Sequence, residues 1–90
     1  MSTQELVDCS TDYGNYGCGG GLMTNAYDYI HDSGLTTEKK YPYKGRNMKC
    51  KKIDDKDKFH VSKYQALKGK STRELSEALA KVPVSIALEV

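Results

Sequence analysis

Cys18-Gly19-Gly20-Gly21-Leu22-Met23 joins a cysteine, a run of three glycines and the start of an amphipathic segment. Glycine has no Cβ atom, so such a run lets another backbone approach closely or lets φ become positive. Apolar residues then recur with helical spacing, which predicts a helix over about residues 22–32. Because helix N-termini present unpaired N–H groups, the stretch predicts a surface along which an extended peptide can bind. A flexible turn before a helix is the alternative.

Three further local signals predict the other helix boundaries. Ser2-Thr3-Gln4-Glu5 has the capping-box pattern, which predicts a short helix to about Cys9. Gly34 follows the last periodic residue, where a left-handed glycine commonly ends a helix. Ser71-Thr72-Arg73-Glu74 repeats the capping-box pattern and predicts a third helix.

Residues 82–90 carry the clearest strand signal. Apolar side chains occupy every even position from Val82 to Val90, whereas Pro83 and Ala87 belong to the opposite face. A strand of this kind needs a partner to pair its backbone and cover its apolar face. The sequence offers no second clear strand, so we expect the partner to lie outside these 90 residues.

The composition limits the chain to one small domain with a modest core. Hydrophobic residues make up 38% of the 90 residues, and the mean hydropathy is −0.68. Small domains bury a limited fraction of their surface and are marginal without disulfides or partners. The sequence contains no apolar run long enough to span a bilayer, so no membrane partner is predicted.

Basic residues are concentrated in the middle of the chain. Asp54, Asp55 and Asp57 are interleaved with the end of this cluster, and no aromatic stacking pattern accompanies it. A patch for nucleic acid or another polyanion is one interpretation, but a solvated loop is favoured and no nucleic-acid partner is predicted. The cluster consists of Lys39, Lys40, Lys44, Arg46, Lys49, Lys51, Lys52, Lys56 and Lys58.

The three cysteines form an odd set, which indicates a free thiol or a partner outside the chain. His31 and His60 are scattered relative to the cysteines and have no paired ligand spacing. Neither a metal site nor a cofactor is therefore predicted. No cysteine has the context of an activated nucleophile, so all three are interpreted as structural and no catalytic residue is assigned.

The ordered motifs together resemble papain-family cysteine proteases, most closely the cathepsin L-like members. The resemblance runs through nearly the whole chain and rests on five segments. Gly19 and Val82 depart from it, because the family usually has Asn at the first position and commonly Gly at the second. The segments are Leu6-Val7-Asp8-Cys9-Ser10, Tyr16-Gly17-Cys18 with the glycines, Tyr41-Pro42-Tyr43, Cys50 and Val82-Pro83-Val84-Ser85-Ile86-Ala87.

The resemblance implies an α+β fold of the papain-like two-lobe type. Residues 1–90 would be a partial peptidase domain, with 1–81 mainly in the helical lobe and 82–90 as the first strand of the β lobe. Papain-like enzymes have a C-G-[SA]-C-[WY] segment at the nucleophile, and His and Asn about 130–150 residues downstream. This chain lacks that segment, so it is expected to begin about two dozen residues after the nucleophile and to end before His and Asn. The isolated chain is therefore expected to be inactive.

The resemblance also implies roles for individual residues. Gly21 would pair with the backbone of the substrate residue two before the scissile bond, and Gly20 would leave room for it. Leu22, Met23 and Ala87 would line the pocket for that residue's side chain, which should be bulky and aliphatic or aromatic. Tyr16 would flank the next pocket out. The alternative for Leu22 and Met23 is packing in the helix core.

The resemblance implies a disulfide between Cys9 and Cys50, and a partner for Cys18 that this chain lacks. The parent enzyme would be lysosomal or extracellular, with peptide or protein substrates and protein inhibitors as partners. A non-catalytic peptide-binding or truncated protease-like module is the alternative. A small disulfide-stapled secreted module of unrelated function is a third hypothesis, although it predicts an even set of paired cysteines.

Overall fold

The computed structural model describes residues 1–67 and 71–88, and its regular structure within them is helical. The helices are α1 (Thr3–Cys9), α2 (Met23–Ser33) and α3 (Thr72–Leu79). Short 3-10 turns cover Thr11–Tyr13, Gly17–Gly19 and Asp55–Asp57. All three predicted helices are confirmed, and α2 begins and ends one residue later than predicted.

The predicted cap residues act at α1 and α2 but not at α3, and at α1 only the Ser2 half of the capping box forms, because the Ser2 N–H donates to the Thr36 carbonyl. The Ser2 side chain accepts a hydrogen bond from the Glu5 N–H at 3.0 Å. Gly34 ends α2 with φ +79°, and its N–H donates to the Ile30 carbonyl at 2.9 Å. At α3, the Ser71 side chain makes no capping hydrogen bond. Seven of its eight residues are exposed, so it is the least buried of the three helices.

The buried side of α1 is polar, which is the reverse of an ordinary amphipathic helix. Gln4, Glu5 and Asp8 are buried, whereas Leu6 and Val7 are only half-buried. Buried polar groups are tolerated only when they are hydrogen-bonded. No buried side-chain nitrogen or oxygen atom of the described residues lacks a partner.

Glu5 is fully buried and accepts three hydrogen bonds. One carboxylate oxygen accepts from the Thr36 N–H at 2.8 Å. The other accepts from the Tyr29 hydroxyl at 2.6 Å and forms an ion pair with the Lys58 ammonium at 2.8 Å. Residues from three distant parts of the chain thus meet at one carboxylate.

Asp8 organises the other half of this polar core. Its carboxylate accepts from the Tyr41 hydroxyl at 2.8 Å, the Gln4 amide at 2.8 Å and the Met48 N–H at 3.0 Å. Burial, opposed by the hydrogen bond from the Lys51 N–H and reinforced by the hydrogen bond to Asp8, raises the pKa of Tyr41 to about 12. The tyrosine therefore stays protonated and donates to Asp8 at neutral pH.

The predicted strand over residues 82–90 is not formed within the described part, residues 82–88. These residues make no ladder, and in the described chain the one β-bridge joins Leu35 to Phe59. The physical reason is the missing partner, because strand structure requires inter-strand hydrogen bonds. Val82, Ile86 and Leu88 are accordingly exposed. Glu89 and Val90 lie outside the described residues.

Candidate functional site

Residues 16–21, here called the glycine loop, form a closed turn ahead of α2. The Tyr16 N–H donates to the Gly20 carbonyl at 2.8 Å, and the Gly19 N–H donates to the Tyr16 carbonyl at 2.9 Å. Gly20 has φ +117° and ψ −177°, a combination that is essentially restricted to glycine. The conformation of the loop therefore requires Gly20, independently of any ligand.

Gly21 presents an exposed peptide unit at the end of this loop. Its N–H and C=O make no hydrogen bond to any described residue. A Cβ atom at this position would collide with the Asn15 side chain. Glycine is needed here because Asn15 lies against it, a reason that the sequence interpretation did not give. The free N–H and C=O can pair with an extended peptide in the manner of an added strand.

Two asparagines that the sequence interpretation missed hold the glycine loop in place. The Asn15 side chain accepts from the Leu22 N–H at 2.9 Å and donates to the Ser10 hydroxyl at 2.9 Å. The Asn47 side chain accepts from the Cys18 N–H at 2.7 Å. Asn15 had a usable signal, since asparagines in loops often bond nearby backbone groups. Asn47 had none, because it acts on a residue 29 positions away.

The side chains predicted to line a pocket lie at the surface. Leu22 is the N-cap of α2 and is 64% exposed, while Met23 begins the helix and is 40% exposed. Helix-core packing, the alternative for these two residues, is therefore not what the structure shows. Tyr16 is 76% exposed beside the same loop.

Ala87 is exposed in the segment that approaches α2. Two residues earlier, the Ser85 hydroxyl is hydrogen-bonded to the Tyr27 hydroxyl at 2.5 Å, one turn along α2 from Met23. This bond joins Ser85 to the helix that carries Met23. The grouping of Ala87 with Leu22 and Met23 into one pocket stays a prediction.

An open cavity of about 230 Å³ adjoins the glycine loop where it faces α1. Leu6 and Val7 supply the apolar part of its lining, and both are half-buried, on a different side of α1 from its buried polar side chains. The cavity is lined by Leu6, Val7, Ser10, Asn15, Gly17, Gly20 and Gly21.

The cysteines are arranged as the resemblance implied. Cys9 and Cys50 form a disulfide with their Cα atoms 5.0 Å apart, and Cys18 is a free, exposed thiol. In the described structure neither histidine ring is hydrogen-bonded to the Cys18 sulfur. His31 pairs with Asp32 at 2.9 Å, and its hydrogen bond lowers the pKa of that carboxyl. His60 is hydrogen-bonded to the His31 carbonyl at 3.1 Å.

No group of three potential ligands lies close enough in residues 1–67 and 71–88 to hold a metal ion. None of the helices described there is long and apolar enough to cross a bilayer. What the arrangement offers is an exposed backbone edge, held by hydrogen bonds to Asn15 and Asn47 and lying next to apolar side chains, which suits the binding of a peptide.

Comparison with known proteins places the whole chain among proteases. A family profile described as "Papain family cysteine protease" matches residues 1–90. A cathepsin L-like protein of Caenorhabditis elegans is 46% identical over 99% of this chain and 27% of its own length. Digestive cysteine proteinase 3 of Homarus americanus is 45% identical over 99% of this chain and 28% of its own length.

A solved structure shows the same chain path. Digestive procathepsin L 3 of the Tenebrio molitor larval midgut matches 89% of this chain and 26% of its own chain, with a TM-score of 0.83 and 38% identity. The chain thus spans about a quarter of the length of the relatives it matches. The likeness supports the two-lobe fold class, of which the described helices form part of the helical lobe.

Proposed function

Because the chain belongs to the papain family of cysteine proteases, we propose that it forms part of the substrate-binding wall of a cathepsin L-like endopeptidase. The observation that carries the proposal is the exposed Gly21 peptide unit, whose N–H and C=O have no partner among the described residues. An extended substrate would satisfy both groups by antiparallel pairing. Asn15 and Asn47 fix the position of that edge, so little entropy is lost when a peptide binds.

Side-chain preference would come from the residues that flank this edge. Leu22, Met23 and Ala87 are all exposed, and they offer apolar surface to the substrate residue that pairs with Gly21. Methionine adapts to irregular shapes, so we expect a bulky aliphatic or aromatic residue there. Tyr16 would contact the next substrate residue out.

Bond cleavage would require groups from the rest of the enzyme. In the whole protein, a cysteine thiolate activated by a histidine would attack the peptide carbonyl and form a thioester, while an oxyanion hole would stabilise the tetrahedral intermediate. This chain's part is to bind and orient the substrate, and by itself it should be inactive. We propose that the parent is lysosomal or extracellular, in keeping with its disulfide, and that protein inhibitors of such enzymes are further partners.

A peptide-binding test separates this role from a passive structural one. The 15N-labelled chain is titrated with a short peptide that has Phe at the residue expected to pair with Gly21. We expect amide shifts in the glycine loop and at Leu22, with no cleavage of a fluorogenic version of the peptide. A peptide N-methylated at the pairing residue should not bind, because it cannot donate the backbone hydrogen bond.

Two glycine variants provide the matched control. Gly19→Ala should bind normally, since its Cβ would meet nothing closer than 3.6 Å. Gly21→Ala should bind poorly because of the collision with Asn15. If the N-methylated peptide binds as well as the parent peptide, the backbone-pairing proposal is wrong. Cleavage that depends on Cys18 would show that this thiol is catalytic.

The alternative is a module that binds peptides without cleaving them. The free Cys18 thiol with no histidine partner in the described structure favours it for the isolated chain. The two proposals differ in what the parent does. A hydrolysing parent purified from its source would carry this sequence within an active enzyme, whereas a binding module would occur as the short chain alone.

A further inference from the structure

Asn47 is bonded to the glycine loop from a distant part of the chain. Its side-chain oxygen accepts from the Cys18 N–H at 2.7 Å, across 29 positions. A Cβ atom on Gly17, which has φ +57°, would collide with the same oxygen. The Asn47 side chain therefore lies directly against the 3-10 turn at Gly17–Gly19, which has no room for a larger residue at its first position.

The backbone on both sides of Asn47 is fixed to α1. The Arg46 carbonyl accepts from the Gln4 side-chain amide at 2.8 Å, and the Met48 N–H donates to the Asp8 carboxylate at 3.0 Å. Gln4 and Asp8 are buried, and their side chains are hydrogen-bonded to each other at 2.8 Å. Asn47 is thus held between two anchored neighbours, which limits where its side chain can lie.

Two further attachments follow Asn47 along the chain. Cys50 is joined by the disulfide to Cys9, the last residue of α1. The Lys51 N–H donates to the hydroxyl of the buried Tyr41 at 2.9 Å. Because these attachments place the Asn47 amide before any ligand arrives, holding the glycine loop costs little additional ordering when a peptide binds.

Gly21 lies between two held positions of the backbone. Asn47 accepts from the N–H of Cys18, three residues before Gly21. Asn15 accepts from the N–H of Leu22, the residue after Gly21. Without Asn47, the described structure would hold only one side of this peptide unit through an asparagine side chain.

The 3-10 turn connects the position of Cys18 to that of Gly21. Gly20 caps the turn, since its N–H donates to the Gly17 carbonyl at 3.2 Å. The Gly20 carbonyl in turn accepts from the Tyr16 N–H at 2.8 Å. Gly21 follows directly, so a shift of the turn moves the exposed N–H and C=O of Gly21.

We infer that Asn47 is a positioning residue for substrate binding, acting through the Cys18 amide on the peptide edge at Gly21. The inference rests on the proposed function, in which the substrate backbone pairs with Gly21. It gives the buried polar side of α1 a role beyond stability, because Gln4 and Asp8 determine where Asn47 lies. A misplaced edge binds a peptide more weakly, since hydrogen bonds weaken steeply when their geometry is poor.

The test uses the full 90-residue chain and the Phe-containing peptide described above, with uncharged side chains throughout the peptide. Asn47→Ala removes the acceptor, whereas Asn47→Asp keeps an oxygen that accepts from the same N–H. Lys49→Ala is the matched control from the same segment. Lys49 is exposed, and its side chain makes no hydrogen bond or ion pair with the described residues.

We expect Asn47→Ala to bind the peptide about fivefold more weakly, the effect of losing one ordinary hydrogen bond. Asn47→Asp and Lys49→Ala should bind within about twofold of the parent chain. In the free chain, hydrogen exchange at the Gly20 amide should be faster in Asn47→Ala and should return to the parent rate in Asn47→Asp. The amides of α1 should exchange at the parent rate in all three variants.

The possible failures separate this inference from the proposed function. If the parent chain binds the peptide and Asn47→Ala binds it equally well, the inference is wrong and the peptide cleft stands. If the parent chain does not bind the peptide, the cleft and the role of Asn47 fail together. Equal weakening in Asn47→Asp or Lys49→Ala, or faster exchange throughout α1 in Asn47→Ala, would also overturn the inference, because the effect would then not come from the side-chain acceptor.

Discussion

Glu5→Gln should destabilise the fold severely, although it changes only one oxygen to an NH₂ group. Glu5 is fully buried and receives donors from Thr36, Tyr29 and Lys58. A glutamine keeps one acceptor for the Thr36 N–H. Its NH₂ group would then face two other donors, and the ammonium of Lys58, whose side chain is 10% exposed, would lose its counterion.

The magnitude follows from the burial of both partners. Breaking a buried ion pair by removing one partner costs about 3–5 kcal/mol. A chain of this length has roughly 5–13 kcal/mol of unfolding free energy in total. The substitution should therefore remove roughly a quarter or more of the stability, and urea unfolding followed by far-UV circular dichroism measures the loss.

Two companion variants make the result decisive. Glu74→Gln is the matched control, because Glu74 is exposed on α3 and should change stability by less than about 0.5 kcal/mol. The double variant Glu5→Gln/Lys58→Met removes both charges and should be more stable than Glu5→Gln alone. If Glu5→Gln costs no more than its control, or the Lys58→Met change brings no recovery, the reasoning about a buried pair is refuted.

Other measurements address the remaining features. The pKa of Tyr41 is about 12 in the fold and about 10 in the unfolded chain. The protonated hydroxyl therefore adds roughly 2–3 kcal/mol to the free energy of unfolding below pH 10, and this contribution is lost as the pH rises to about 12. Tyr41→Phe should reduce that alkaline loss, while the part due to Tyr29, whose pKa is also raised by burial, remains; an unchanged alkaline limb would contradict the assignment. A thiol reagent should modify Cys18 alone in the native chain, and reaction at a second native thiol would argue against the disulfide. The double variant Cys9→Ser/Cys50→Ser should lower the free energy of unfolding by about 4 kcal/mol. Asn47→Ala should accelerate hydrogen exchange at the Cys18 amide by about fivefold, through loss of about 1 kcal/mol, with the amides of α2 unchanged.

Sequence signals that act within one turn of helix predicted the local structure well. The Ser2 cap and the Gly34 stop depend on neighbours three or four residues away, and both are present as predicted. The Cys9–Cys50 pairing came from the family resemblance, because three cysteines alone leave the pairing open. The segment from Val82 onward alternates apolar residues with others in the pattern of a strand, but a strand needs a partner that the described residues do not supply.

Contacts between distant residues were not predictable from single-sequence patterns. Lys58 meets Glu5 across 53 positions, and neither residue has a local feature that marks it as buried. Gln4 and Asp8 likewise look like the solvent side of a short helix, and their side chains are satisfied by backbone groups of residues 44–48. The free groups of Gly21 could be suspected from the glycine run. Asn15 could be suspected of bonding nearby backbone groups, but its packing against Gly21 could not.

The polar core of α1 has a consequence for how the chain responds to temperature. Exposing apolar surface on unfolding raises the heat capacity, whereas exposing polar surface lowers it. Only Tyr29, Leu35 and Tyr41 form the buried hydrophobic set of the described residues, beside a larger set of buried polar side chains. The heat-capacity change of unfolding should therefore fall well below the roughly 1.1–1.4 kcal/mol/K of an ordinary domain of this length. The stability curve is then flat, and cooling weakens this fold less than it weakens one built on hydrocarbon packing.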